Sequence, residues 1–297
     1  MKKNYLSSVI ALFLSTIFWG TAGVIMKLTL DEITPYYLLA FRFSVAAIVL
    51  LAVYVKRLKH ITKRTLKTGS LMGIVMYFEF LLFTWGLNYT TATKSAFIIG
   101  AYVILVPIAY LICHRRFPNK SSLVGAFICL IGVCFVLFDD FSGINKGDII
   151  TMVSSLCYAF HIVMTAKYVK DEDPVQLNVI QISVAALLAI IAAFCMESVP
   201  AKIGAKECAS IVYLGVVCTV LPYLLSVYGQ KYVQTTTAAI ILSFECVVGC
   251  LTAVLVLGEA FSFRIGMGAV LIIGSLVVAE IDWRKYGRRV HCEAEVE

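Results

Sequence analysis

The sequence predicts an all-α integral membrane protein with ten transmembrane helices arranged as two inverted five-helix repeats. Three observations carry that expectation. Apolar residues make up 61% of the 297 and charged residues 14%, whereas a soluble domain carries roughly 45–50% and ~25%. So few polar groups cannot cover a soluble surface, and part of the solvent must be lipid. Ten apolar runs come close to the ~20 residues that cross a ~30 Å hydrocarbon core. Finally, the second half of the chain echoes the first at a nearly constant offset.

The runs are 6–26, 35–55, 68–88, 93–113, 122–139, 149–167, 174–196, 208–229, 235–257 and 263–281. The connections are short, with turn-forming clusters at Asp139–Asp148 and Glu197–Lys206. The first run exceeds the 7–15 residues of a signal-peptide apolar region and no small-residue cleavage site follows, so it reads as the first span. Counting Lys and Arg by side gives a bias of about three to one toward the side of the N-terminus. Both termini are therefore expected in the cytoplasm, and the chain in the plasma membrane.

The net charge of +7 belongs to those loops. A nucleic-acid partner would need a soluble basic face, and none is available. Most of the ten cysteines lie inside apolar runs and form no CxxC pair, which favours packing over a metal or redox site.

The internal echo is specific. The segment Gly86 to Ala96 aligns with Gly229 to Ala239 at an offset of 143, and Pro35 to Ala47 aligns with Pro174 to Ala186 at 139. Residues 8–139 and 149–281 are read as the two repeats and 282–297 as a basic and acidic cytoplasmic tail. Five spans per repeat is an odd number, so the second copy must cross the membrane upside down. Inverted repeats of this kind place a site at their interface near the midplane.

Ionised groups inside a span cost about 2.5–3.5 kcal/mol on insertion scales and mark functional positions by default. Glu245 shares a helix face with Leu242, Gly249 and Thr252, and its partner at offset 143 is Tyr102. Either both face a central cavity, or Glu245 pairs with a neighbouring helix. Glu79 either carries a coupling proton or pairs with Arg42 or another cation. His161 belongs to a stripe with Ser154, Tyr158 and Thr165, which faces a cavity or bonds a neighbouring helix. Arg42, whose repeat partner is Gln181, could take a substrate carboxylate, neutralise Glu79 or bond backbone carbonyls. Trp19, Phe80, Tyr102 and Tyr223 are among the aromatic residues that add surface for stacking or packing. Lys27 and Lys94 are expected to snorkel, and Glu259 to fix a helix end.

With these residues in view, the chain resembles the drug/metabolite transporter superfamily, in its EamA-type branch. The resemblance rests on Phe18-Trp19-Gly20, Lys27, Pro35, Arg42 and the Gly86 to Ala96 turn in the first half. In the second it rests on Ala238-Ala239, Phe244-Glu245 and Leu257-Gly258-Glu259. It covers roughly residues 8–281, and departs from many relatives in having Cys246, where they carry proline after the glutamate. It implies secondary transport, often export, of amino acids, other metabolites or drugs.

The expected partners are a small-molecule substrate and the lipid bilayer; a homodimer stays open. No cofactor is expected beyond a coupled proton, and the chain carries no ATP-binding G-x-x-x-x-G-K-[ST] loop. An integral membrane enzyme acting on a lipid-linked substrate is the alternative, but the four histidines are scattered. A passive channel is the third reading.

Overall fold

The computed structural model describes residues 2–115, 120–137, 145–200 and 202–280. Arg116, the repeat partner of Glu259, and the tail 282–297 lie outside the described residues. Among those described, ten helices follow the ten apolar runs: α1 (Lys2–Thr29), α2 (Pro35–Tyr54), α3 (Lys63–Leu87), α4 (Ala92–His114), α5 (Lys120–Leu137), α6 (Lys146–Tyr168), α7 (Pro174–Met196), α8 (Ala205–Tyr232), α9 (Thr235–Leu257) and α10 (Phe263–Glu280). No strand occurs among the described residues. Eight of these helices are long and apolar enough to cross a membrane. In α5 and α10 the apolar segments, Leu123–Phe135 and Phe263–Ser275, are shorter.

Local sequence sets where the helices begin. Pro35 and Pro174 open α2 and α7, where a missing N–H costs nothing and a fixed φ helps. Asp173 accepts from the N–H groups of Val175 and Gln176, and Asn145 and Asp148 form a reciprocal capping box on α6. Two helices are capped from far away. Glu197 Oε2 accepts from Thr34 Oγ1 and from the N–H groups of Tyr36 and Tyr37. Glu259 accepts from the N–H groups of Ala92 and Thr93, both at 3.0 Å, which is the end-fixing role expected of it.

Hydropathy gives no sign that α4 and α9 are broken. In α4 the N–H groups of Ala101, Val103 and Ile104 donate to the carbonyls of Ile98, Gly100 and Ala101. In α9 those of Phe244, Cys246 and Val247 donate to Ile241, Ser243 and Phe244. Each bond reaches back only three positions, tightening the turn locally, and the α9 bonds match the α4 bonds one for one at the repeat offset. The α9 break forms with Cys246, not proline, beside the glutamate. The two helices also end alike, with Arg115 (φ 52°) and Gly258 (φ 68°) in the left-handed region. Glycine reaches that region without a Cβ penalty.

Packing follows the same correspondence. Helix α3 packs on α6 and α8 on α1, while α2 pairs with α7, α4 with α9 and α5 with α10. The α3–α6 and α8–α1 approaches are close enough to require glycine. A Cβ on Gly229 would fall 2.5 Å from Leu12 Cγ and 2.9 Å from the Ser8 carbonyl oxygen; one on Gly86 would strike Thr151 Oγ1. Small residues let helix backbones approach where lipid supplies no hydrophobic drive between helices. Two large apolar cores result, beside a small cluster of Met72, Val169, Leu177 and Val227. One joins the later part of α1 with α2, α3, α7 and α8; the other joins α4, α5, α6, α9 and α10. Trp19 and Phe83 pack against both, and between the cores lies the site described below.

Gly229→Ala and Gly86→Ala should each destabilise the detergent-solubilised protein by about 1–3 kcal/mol, the usual cost of overpacking. Gly274→Ala, whose Cβ would meet nothing within 4 Å, should not destabilise it in thermal unfolding, and helix propensity should raise stability by up to about 1 kcal/mol.

Candidate functional site

A cavity of about 680 Å³, counting the part open to solvent, lies between the two cores. Its wall takes Trp19 to Met26 from α1, Glu79 to Phe83 from α3, Ala92 to Ile99 from α4, and Ser154 and Tyr158 from α6. Arg42, Tyr223 and Glu245 complete the polar and aromatic lining. The α1 residues lie in that helix's second half, so the cavity runs from mid-bundle toward the end carrying the C-terminus of α1. A second, smaller cavity of about 200 Å³ continues on the other side of the Trp19, Tyr158 and Tyr223 rings, lined by His161, Thr165, Ser226 and Gln230.

Five of the seven expected site residues stand on the larger wall: Trp19, Arg42, Glu79, Tyr158 and Glu245. His161 lines the smaller cavity. Tyr102 was expected to face the central space, but it is fully buried and packs edge-on against Tyr158, with ring centroids 4.5 Å apart. It stands one layer back, beside Glu245. Tyr223 reads in the sequence as one aromatic residue among several, yet it touches the site's Trp19, Phe80 and His161 rings. It answers to Phe80 at the repeat offset, a signal that places it at the centre.

Arg42 is fully buried and its donors are engaged. Nε donates to Thr219 Oγ1 at 2.8 Å, one terminal nitrogen to the Cys218 carbonyl at 2.9 Å, and the other to Met26 sulfur at 3.1 Å. The guanidinium sits 4.6 Å over the Phe80 ring, a cation–π geometry. The local sequence explains the free carbonyl. In an α-helix the donor to Cys218 would be residue 222, which is Pro222 and has no N–H. The chain there also widens into a π-helix over Tyr213–Val220, a feature frequent at functional sites. Of the three roles open to Arg42, carbonyl bonding is seen directly, while the guanidinium also stays on the cavity wall within reach of Glu79.

The partner of Glu79 is His161. Its Nδ1 stands 3.2 Å from Glu79 Oε2, and both side chains are buried. Ser154 Oγ donates to the Glu79 carbonyl at 2.6 Å and ties α6 to α3 beside the pair. Beyond His161 a polar chain continues: Nε2 lies 3.0 Å from Gln181 Oε1, Gln181 Nε2 donates to Asn178 Oδ1, and Asn178 Nδ2 donates to the Tyr223 carbonyl at 3.0 Å. The stripe of Ser154, Tyr158, His161 and Thr165 is buried throughout. Besides Glu79 Oε2, whose close approach to His161 lacks hydrogen-bond alignment, Trp19 Nε1 and Glu245 Oε1 find no hydrogen-bond partner among the described residues. A buried polar atom left unpaired costs about 1–3 kcal/mol, so both are available to a bound solute.

The two lysines expected to snorkel do otherwise. Lys27 Nζ donates to the carbonyls of Leu87 and Thr90 at 2.6 and 2.9 Å, satisfying oxygens at the end of α3 and in the turn to α4. Lys94 is buried. Thr90 Oγ1 also donates to Asp148 Oδ1 at 2.6 Å, joining this turn to the start of α6.

The sequence model of the EamA-like transporter family matches residues 6–138 and again residues 145–280. The chain belongs to the EamA-like transporter family. It is 27% identical over 273 residues to an uncharacterized transporter of Archaeoglobus fulgidus, covering 92% of this chain and 85% of the relative. It is 26% identical over 289 residues to the uncharacterized transporter YyaM of Bacillus subtilis, covering 93% and 94%. A solved crystal structure superposes on it with a TM-score of 0.76 at 16% identity, over 94% of this chain and 98% of that one, and shares the fold. This EamA-like chain is thus a multi-pass membrane protein related to transporters over nearly its full length.

Replacing Thr219 by valine should strip the Arg42 Nε–H of its partner. A loss of about 1–3 kcal/mol is expected, read by thermal unfolding of the purified protein. A Thr219→Ser variant, which keeps the hydroxyl, should lose much less.

Proposed function

We propose that this EamA-like protein is a secondary active transporter that exports small metabolites, amino acids or drug-like solutes. It moves them by alternating access about the cavity between its two halves. The observation that carries this reading is the cavity itself: two carboxylates, Glu79 and Glu245, and an aromatic wall lie at mid-bundle, between two separate apolar cores. Buried carboxylates on a cavity wall beside aromatic rings suit a solute with an amine and an apolar body. The unpaired Trp19 N–H adds a donor for an oxygen on the same solute.

Several features support ten spans in two inverted repeats. The family model matches twice. The breaks in α4 and α9 and the left-handed ends of both helices recur at the same offset. The reciprocal packing of α3 on α6 and of α8 on α1 is what exchange about a two-fold axis in the membrane plane would produce. Short α5 and α10 pair with each other at the edge of this arrangement, and we read both as spans. Rocking one half against the other would close the larger cavity and open the smaller one. Energy then comes from a proton or substrate gradient, with Glu79, His161 and Glu245 as the titrating groups inside the bundle.

The test is efflux from cells that overexpress the protein, with the solute found by comparing metabolite levels between deletion and overexpressing strains. Glu79→Gln and Glu245→Gln should each slow efflux about tenfold or more, equivalent to about 1.4 kcal/mol, at unchanged membrane levels. Wild-type efflux by both variants would remove the site from consideration.

Topology is tested separately. With the N-terminus cytoplasmic, exposed Cys208 at the start of α8 should react with an impermeant thiol reagent in intact cells. Cys292 should react only after the membrane is opened. The reverse pattern would invert the orientation.

A further inference from the structure

We propose that Gln181 and Asn178 hold His161 in one tautomer, with a proton on Nε2, so that Glu79 and His161 together form a binding site for a single exchangeable proton. This deepens the transport reading above, but it does not need transport to be observed.

The argument starts from a group whose role is fixed. The Tyr223 carbonyl can only accept, so the Asn178 atom 3.0 Å away must be its NH₂ group; a flipped amide would set two acceptors against each other. That leaves Asn178 Oδ1 to accept from Gln181 Nε2, and Gln181 Oε1 as the atom facing His161 Nε2 at 3.0 Å. An amide oxygen cannot donate, so Nε2 must carry hydrogen. A backbone carbonyl on α8 thereby sets, through two side chains of α7, the tautomer of a ring on α6.

The consequence falls on the other ring nitrogen. Nδ1 lies 3.2 Å from Glu79 Oε2, an oxygen that meets no aligned donor, and between them the pair can hold one proton. On Oε2 it gives a neutral acid and a neutral imidazole; on Nδ1 it gives a carboxylate and an imidazolium. Both arrangements carry no net charge. When the proton leaves, a buried carboxylate faces a ring lone pair, and the site gains one negative charge at the cavity wall. Without the Gln181–Asn178 chain the ring could carry its own N–H on Nδ1 toward Glu79; the next proton would then go to Nε2, and the carboxylate would no longer share it.

Other groups around the pair set how tightly the proton is held. Arg42 on α2 acts on Glu79, and Glu79 acts on Glu245 of α9. Tyr223 on α8 lies 5.8 Å from the His161 ring, and Tyr158 and Cys157 lie on α6 itself. Helix α7 presents amides here, and α1 presents Trp19.

The full chain, labelled with ¹⁵N-histidine and reconstituted in liposomes, tests this by solid-state NMR, with His161→Asn assigning the signal. Across a pH series, Nε2 should keep its directly bonded proton while Nδ1 changes in one step. Asn178→Leu, or Gln181→Met if the first does not fold, should split the single signal into two tautomers. A wild-type His161 whose neutral form carries the proton on Nδ1 would overturn the inference, as would either folded variant giving the wild-type spectrum. Failure of the transport reading is distinguishable, because Glu79→Gln could then export normally while the tautomer is as stated.

Discussion

Arg42 is the constraint around which the rest of this bundle is organised. A fully buried guanidinium is costly, and its burial is tolerated only when its donors and charge are met in good geometry. Here that demand ties three helices to α2. Helix α8 must offer a carbonyl and a hydroxyl, α1 a sulfur, and α3 an aromatic face. Pro222 frees the Cys218 carbonyl, and the π-helix before it places Thr219 alongside. In a hydrocarbon interior water cannot stand in for a missing partner, so a shift of α8 relative to α2 must carry these bonds along or break them together. The cation in turn lies close enough to Glu79 to act on it, and it thereby couples the position of α8 to the charge of the cavity.

The helices were legible because the bilayer forces their length. A run of about 20 apolar residues has few alternatives in lipid, and the observed ends fall within a few residues of the runs. The breaks in α4 and α9 were not legible, since a tight turn inside an apolar segment leaves composition unchanged. The misplacement of Tyr102 has a different source. It is expected at the cavity as the repeat partner of Glu245, but the two halves do not place equivalent side chains alike, and only Glu245 reaches the wall. Glu79 could be recognised as costly, but its partner comes from a helix in the other half of the chain. Period alone says which face His161 is on without saying what it meets. The Cys218 carbonyl does have a readable signal, a proline inside a span, because Pro222 withholds the N–H that an α-helical register would offer it.

Comparing the halves residue by residue separates scaffold from chemistry. Gly86 recurs as Gly229, the break in α4 recurs in α9, and the left-handed Arg115 recurs as Gly258. The side chains at the centre do not: Phe80 stands opposite Tyr223, Tyr102 opposite Glu245, and Arg42 answers to Gln181. Each exchange replaces a neutral or cationic group in one half by a different polarity in the other. Arg42 and Gln181 nevertheless do related work, since both reach carbonyls of α8, the first directly and the second through Asn178.

That asymmetry would give the two end states of a carrier of this fold different energies. A perfectly symmetric pair of halves would have equivalent inward and outward states and no group that distinguishes them. With the buried cation in one half and the imidazole of the proposed proton site in the other, a movement between the halves would change the charge felt at the centre. Helices packed through glycine favour a few discrete positions over a continuous slide, so in the proposed carrier a single proton at Glu79 and His161 would bias the choice between two packings. The energy available from one proton need only match the small difference between them.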